Sequence, residues 1–82
     1  MSIRILYFAG LRDLVGKAEE ELVVPTEVGS LRSLLAWLTA RHPALHGRLD
    51  QVRVAKNESF AELDDGVQSG DVVALIPPVA GG

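Results

Sequence analysis

Apolar and polar positions alternate from the first residues of the chain. Over residues 2–8, Ile3, Ile5 and Tyr7 share one face of an extended segment, and Arg4, Leu6 and Phe8 share the other. That pattern predicts a central strand whose second face is open to solvent at the Arg4 end. Residues 9–17 contain Gly10 and Gly16 and read as a loop with a helical turn at 11–14. Residues 19–24 form a second predicted strand, polar at its start and closed by Pro25, which the short connection pairs antiparallel with the first. Val28, Leu31, Leu34, Leu35 and Leu38 then recur at helical spacing, with Thr26 and Ser30 as alternative N-caps. Arg41 and His42 suit the negative end of that helix, and Pro43 stops it. Residues 52–56 alternate again, Asn57-Glu58 is a turn, and residues 60–63 read as a brief edge strand. Two further turns, Asp64-Asp65-Gly66 and Ser69-Gly70-Asp71, lead to the apolar run Val72–Ile76, a buried central strand. The order β-β-α-β-(β)-β, with the two most apolar strands adjacent and parallel at the centre, is α+β of the β-grasp kind. One main helix should cover Ile3, Ile5, Tyr7, Val73 and Leu75.

Composition narrows the function. Eighty-two residues make one domain, of which residues 1–76 are predicted to fold and 77–82 to form an extended tail. A hydrophobic content of 48% and a mean hydropathy of +0.21 are those of a chain with a core. The absence of cysteine excludes disulfides, zinc–thiolate sites and a cysteine nucleophile. A net charge of −3 argues against nucleic acid as a partner, and uncharged stretches are too short to span a bilayer. The N-terminus lacks the pattern of a signal peptide, so a cytoplasmic protein is expected. All 8 basic residues lie in positions 1–56; positions 57–82 hold five acids and no base.

Internal chemistry is sparse. His42 and His46 are four apart, but Pro43 interrupts them and no third ligand accompanies them, so no metal site is expected. Asp64 and Asp65 read as solvated turn residues, and Glu19, Glu20 and Glu21 as a solvated hairpin strand. The tail differs. Gly-Gly ends a chain by chance about 0.5% of the time, and here Pro77-Pro78 precede it and stiffen it into an outward rod. From Pro77 to Gly82 the reach is about 19 Å. Val79 and Ala80 keep it uncharged, and Gly81 and Gly82 remove every side chain from the tip. Such a tail suits delivery of a terminal carboxylate through a narrow channel into another protein's active site.

The closing run Gly70-Asp71-Val72-Val73-Ala74-Leu75-Ile76-Pro77-Pro78-Val79-Ala80-Gly81-Gly82 resembles the sulfur-carrier (small) subunits of molybdopterin synthases, which are ubiquitin-like β-grasp proteins. The opening IRILYFAGLRDLVG and the helix end Ala40-Arg41-His42-Pro43 share the resemblance, which covers nearly the whole chain. Ile76, where an aromatic residue is commoner, and Gly29, where Ala is more usual, depart from the family pattern. The resemblance implies that a partner enzyme consumes ATP to adenylate Gly82 and that sulfur then displaces AMP to give a thiocarboxylate. Held by the large subunit, that sulfur attacks the pterin precursor. It further implies a sulfur-transfer protein, a heterotetramer of two large and two small subunits, no cofactor bound by the carrier, and no catalytic side chain of its own. Alternatives are the sulfur carrier of thiamine biosynthesis, which has the same chemistry but usually a shorter chain and no Pro-Pro before the tip, and a ubiquitin-like modifier, which shares the tail and is joined to lysines through Gly82; a passive ubiquitin-like binding domain would need no Gly-Gly end.

Strand alternation also marks a surface. Arg4 puts Leu6 and Phe8 on the face without the helix, and Ala74 and Ile76 occupy the matching face of the last strand. With Phe60 nearby, these five residues are the expected partner interface, since a contiguous apolar patch beside the tail is an uncommon surface feature.

Overall fold

A computed structural model describes residues 1–78. The chain runs β1 (Ser2–Tyr7), α1 (Gly10–Val15), β2 (Glu19–Val23), α2 (Leu31–Arg41), a 3₁₀ turn (Pro43–Leu45), β3 (Arg53–Lys56), β4 (Ser59–Phe60) and β5 (Val72–Ile76). The five strands form one mixed sheet in the order β2-β1-β5-β3-β4. β1 and β5 are parallel neighbours at its centre, with Tyr7 opposite Leu75, and every other pairing is antiparallel. This is the α+β, β-grasp arrangement expected from the pattern of elements.

One face of the sheet carries the core. Ile3, Ile5 and Tyr7 of β1, with Val73 and Leu75 of β5, are almost wholly buried with Leu31, Leu34 and Leu38 of α2. Ser30 is the cap that starts α2: its hydroxyl accepts from the Ser33 amide at 3.2 Å, and the Ser33 hydroxyl in turn accepts from the Ser30 amide at 3.1 Å. The next amides, at Leu31 and Arg32, donate to the carbonyls of Asp65 and Leu63 at 2.9 and 2.8 Å, so a distant loop satisfies the helix end. The edge strand expected over 60–63 is accordingly shorter and earlier, at Ser59–Phe60. Beyond Phe60 the chain turns away from the sheet to reach that helix.

Two further departures have local causes. Residues 10–15 form the helix α1 rather than a loop with a single turn. Leu11 is buried in the core, and Gly16 ends the helix in the left-handed region at φ 87°, its amide bonded to the Arg12 carbonyl at 2.8 Å. Val28 joins the core from the segment before α2, not from the helix itself.

Candidate functional site

The face of the sheet away from α2 bears an apolar groove of about 540 Å³. Sheet register explains its shape. Leu6 lies opposite Ala74, Ala74 opposite Ala55, and Ala55 opposite Phe60, so one row across four strands reads large, small, small, large. The two alanines form a shallow floor and the larger side chains form the walls. Ile76 and Phe8 close one end, the Phe8 amide donating to the Leu75 carbonyl at 3.3 Å. Leu6, Phe8, Phe60, Ala74 and Ile76 thus line a single groove. Phe8 and Phe60 remain 40% and 62% exposed, although solvent exposure of large apolar groups is unfavourable. Because β1 and β5 are parallel, the groove ends where β5 gives way to Pro77, at the root of the tail.

Charged groups border the groove. On the β2 side Arg4 donates to Glu19 and Glu21 at 2.8 and 3.1 Å, so this edge carries paired charges. Arg53, opposite Ile76, places its guanidinium 4.1 Å from the centre of the Phe60 ring. At the other end lies the turn Asn57-Glu58, which joins β3 to β4 and lines the groove together with Val72. Ala55, Val72, Asn57 and Glu58 were not expected from the sequence. Alternation along β3 places Ala55 on this face once its register against β5 is known, but a two-residue turn carries no such signal.

Pro77 and Pro78 follow β5 directly. The tail positions Val79, Ala80, Gly81 and Gly82, including the expected reactive carboxyl of Gly82, lie outside the described residues. Among the described residues no three His, Asp or Glu side chains converge as a metal site, and no helix is long and apolar enough to cross a membrane.

The sequence model of the ThiS family matches residues 5–82. The chain belongs to the ThiS family. It is 35% identical to the human molybdopterin synthase sulfur carrier subunit over 98% of this chain and 93% of that one. Its structure resembles the crystal structure of SAMP1 from Haloferax volcanii at a TM-score of 0.87, with 30% identity and all of both chains covered. A TM-score of 0.70 at 23% identity, again with both chains fully covered, relates its fold to a chain in the complex of subunits 1 and 2 of the molybdopterin-converting factor from Helicobacter pylori 26695.

This ThiS-family chain also holds a polar cluster on the opposite, helix-covered face of the sheet. Glu20 is not solvated, as the run of three glutamates suggested; its side chain is only 8% exposed. Opposite Ile5, it faces inward, where its Oε2 accepts from the Tyr7 hydroxyl and from His42 Nε2, both at 2.6 Å. Lys17 Nζ lies 3.5 Å from the other oxygen. Burial alone would raise the Glu20 pKa, but the hydrogen bonds from Tyr7 and His42 and the neighbouring positive charges outweigh it. The carboxyl therefore titrates below the usual range. Burial, and then the bond to Glu20, push the Tyr7 hydroxyl far upward. The cluster ties the C-terminal end of α2 to the β1–β2 hairpin and faces away from the groove, so it acts as a structural fastening.

Proposed function

We propose that this protein is the sulfur-carrier subunit of a molybdopterin synthase. On a partner enzyme that binds ATP, the Gly82 carboxylate attacks the α-phosphate, forming an acyl-adenylate with release of pyrophosphate. A sulfur-transfer protein then supplies sulfur at the sulfide level, which attacks the acyl carbon and displaces AMP, leaving a C-terminal thiocarboxylate. In the large subunit's active site this sulfur attacks the pterin precursor, and water cleaves the acyl–sulfur bond to restore the carboxylate. The carrier supplies no acid or base: it contributes proximity, presenting the nucleophile on a tail of fixed length. Two carriers and two large subunits form the working assembly, in the cytoplasm.

The observation that supports this reading most is the position of the apolar groove. Parallel pairing of β1 and β5 brings Leu6, Phe8, Ala74 and Ile76 beside the end of β5, so a partner docked there lies next to Pro77 and Pro78, where the segment that ends in Gly82 begins. A rigid dock with a narrow, side-chain-free tip is what delivery of a carboxyl into a buried site requires. The likeness to the human sulfur carrier subunit supports the same reading. The likeness to SAMP1 and, at 28% identity, to a structure of the small archaeal modifier protein 1 of Haloferax volcanii favours a second reading, conjugation through Gly82 to lysines of other proteins.

The test is the intact mass of the protein recovered from its own cells, followed by molybdopterin formation from precursor with the purified large subunit. Replacement of one oxygen by sulfur and turnover in that assay support the carrier reading. Covalent adducts on other proteins, with no sulfur exchange and no turnover, overturn it in favour of the modifier. Sulfur exchange without turnover overturns the molybdopterin assignment in favour of the carrier of thiamine biosynthesis.

A further inference from the structure

The turn at one end of the groove contains a residue that the backbone disfavours. Asn57 and Glu58 have φ of 52° and 72°, and Lys56 pairs with Ser59 across them, which is the geometry of a two-residue type I′ turn. Asn tolerates the left-handed region, whereas the second position calls for glycine. Glu58 stands there instead. The turn is also held firmly to β5. The Asn57 amide donates to the Val72 carbonyl at 2.8 Å, its side-chain oxygen accepts from the Val72 amide at 2.9 Å, and its side-chain nitrogen donates to buried Asp71 at 3.0 Å. A strained residue on a rigid turn is displayed in one place.

Its charge has no counterpart among the described residues. Of the other four carboxylates of the acidic C-terminal third, three have roles: Asp64 accepts from Arg32, Asp65 from the Glu62 amide, and Asp71 from Asn57 and the Gln68 amide. Glu62 is also unpaired among the described residues, but it does not line the groove. The nearby cations are engaged, Lys56 with the Gly66 carbonyl and Arg53 over the Phe60 ring. Glu58 therefore leaves an unpaired negative charge at one end of an apolar trough, and Arg53 marks the other. A partner that covered the trough would bring its own rim over exposed Glu58, where a positive charge is attracted and a negative one repelled.

We infer that Glu58 is a specificity contact for the large subunit, receiving a lysine or arginine that flanks the apolar surface seated in the groove. This rests on the docking described above and adds to it an electrostatic polarity, with the partner's basic end over the turn and its apolar part over Ala55 and Ala74. A partner with an acidic group at that point is rejected.

Glu58→Gly separates binding from folding because the two change in opposite directions. Glycine relieves the strain, so the melting temperature should rise by about 4 °C. Affinity for the purified large subunit should fall about 3–10-fold at low salt, chiefly through slower association. Glu58→Gln, which keeps the size and removes the charge, should lose the same factor at low salt and match the wild type at high salt. Phe8→Asp serves as the control for the groove. If both Glu58 variants bind within twofold of wild type at low salt while Phe8→Asp binds poorly, the Glu58 contact is overturned and the groove stands. If Phe8→Asp also binds normally, docking in the groove fails and the inference fails with it. A Glu58→Gly protein no more stable than wild type overturns the inference too, since the glutamate would then not be kept against the preference of the fold.

Discussion

Phe60→Ala measures how much the groove contributes to docking. The side chain sits on a two-residue edge strand, 62% exposed, with Arg53 stacked on its ring. Full burial of a phenylalanine is worth about 1.5–3 kcal/mol, so the part still open to solvent offers about 0.9–1.9 kcal/mol to a partner that covers it. Truncation to alanine should therefore weaken binding to the large subunit by about 5–25-fold. Phe8, 40% exposed, offers about 0.6–1.2 kcal/mol by the same reasoning, or about 3–7-fold on truncation. Phe8→Asp should cost more, because it adds a carboxylate that docking must desolvate. Stability should change little by comparison. In the free protein Phe60→Ala loses only a minor covered area and one exposed cation–π contact, about 1 kcal/mol in all. The assay is calorimetric titration of each variant with the large subunit and with the adenylating enzyme, alongside melting curves. If both Phe60→Ala and Phe8→Asp bind the two partners within twofold of wild type and melt normally, this face is not the docking surface.

Other expectations concern the tail and the fastening beneath α2. Removing Gly82 retracts the carboxyl by about 3.3–3.6 Å, and Gly81→Val adds a branched side chain at the tip. Both should abolish molybdopterin synthesis while leaving the melting temperature unchanged, and wild-type turnover by the shortened protein would refute Gly82 as the reacting residue. Tyr7→Phe removes one of the two short hydrogen bonds to Glu20 without changing the packing of the ring. It should cost about 1.5–3 kcal/mol in chemical denaturation, and a loss below 0.5 kcal/mol would show the bond to be idle. Glu20 and Asp71 both titrate below their ordinary values in the folded protein, so their stabilisation is present above the unfolded carboxylate range and lost as pH falls through the folded values. Melting temperature should therefore hold near neutrality and decline below about pH 4.5, less steeply in Glu20→Gln; a flat profile down to pH 3 would contradict both assignments.

The elements were legible because their signals are local. Alternation in residues 2–8, the leucine spacing of α2 and the apolar run of β5 each reflect a face that must leave water, and together they were enough to place β1 beside β5. Even the outward face could be read, since Arg4 cannot lie in a core and assigns Leu6 and Phe8 to its own side. Register was not legible in the same way. That Ala74 meets Ala55 and Ala55 meets Phe60, which turns an apolar face into a groove, depends on how strands distant in sequence align. The same is true of Glu20. Among three identical neighbours, only the one opposite Ile5 faces inward, and only the fold brings His42, 22 residues later, to within 2.6 Å of it. Residue type determined what each segment would bury, while the side chains brought together were decided by strand pairing and helix docking, whose contacts span most of the chain.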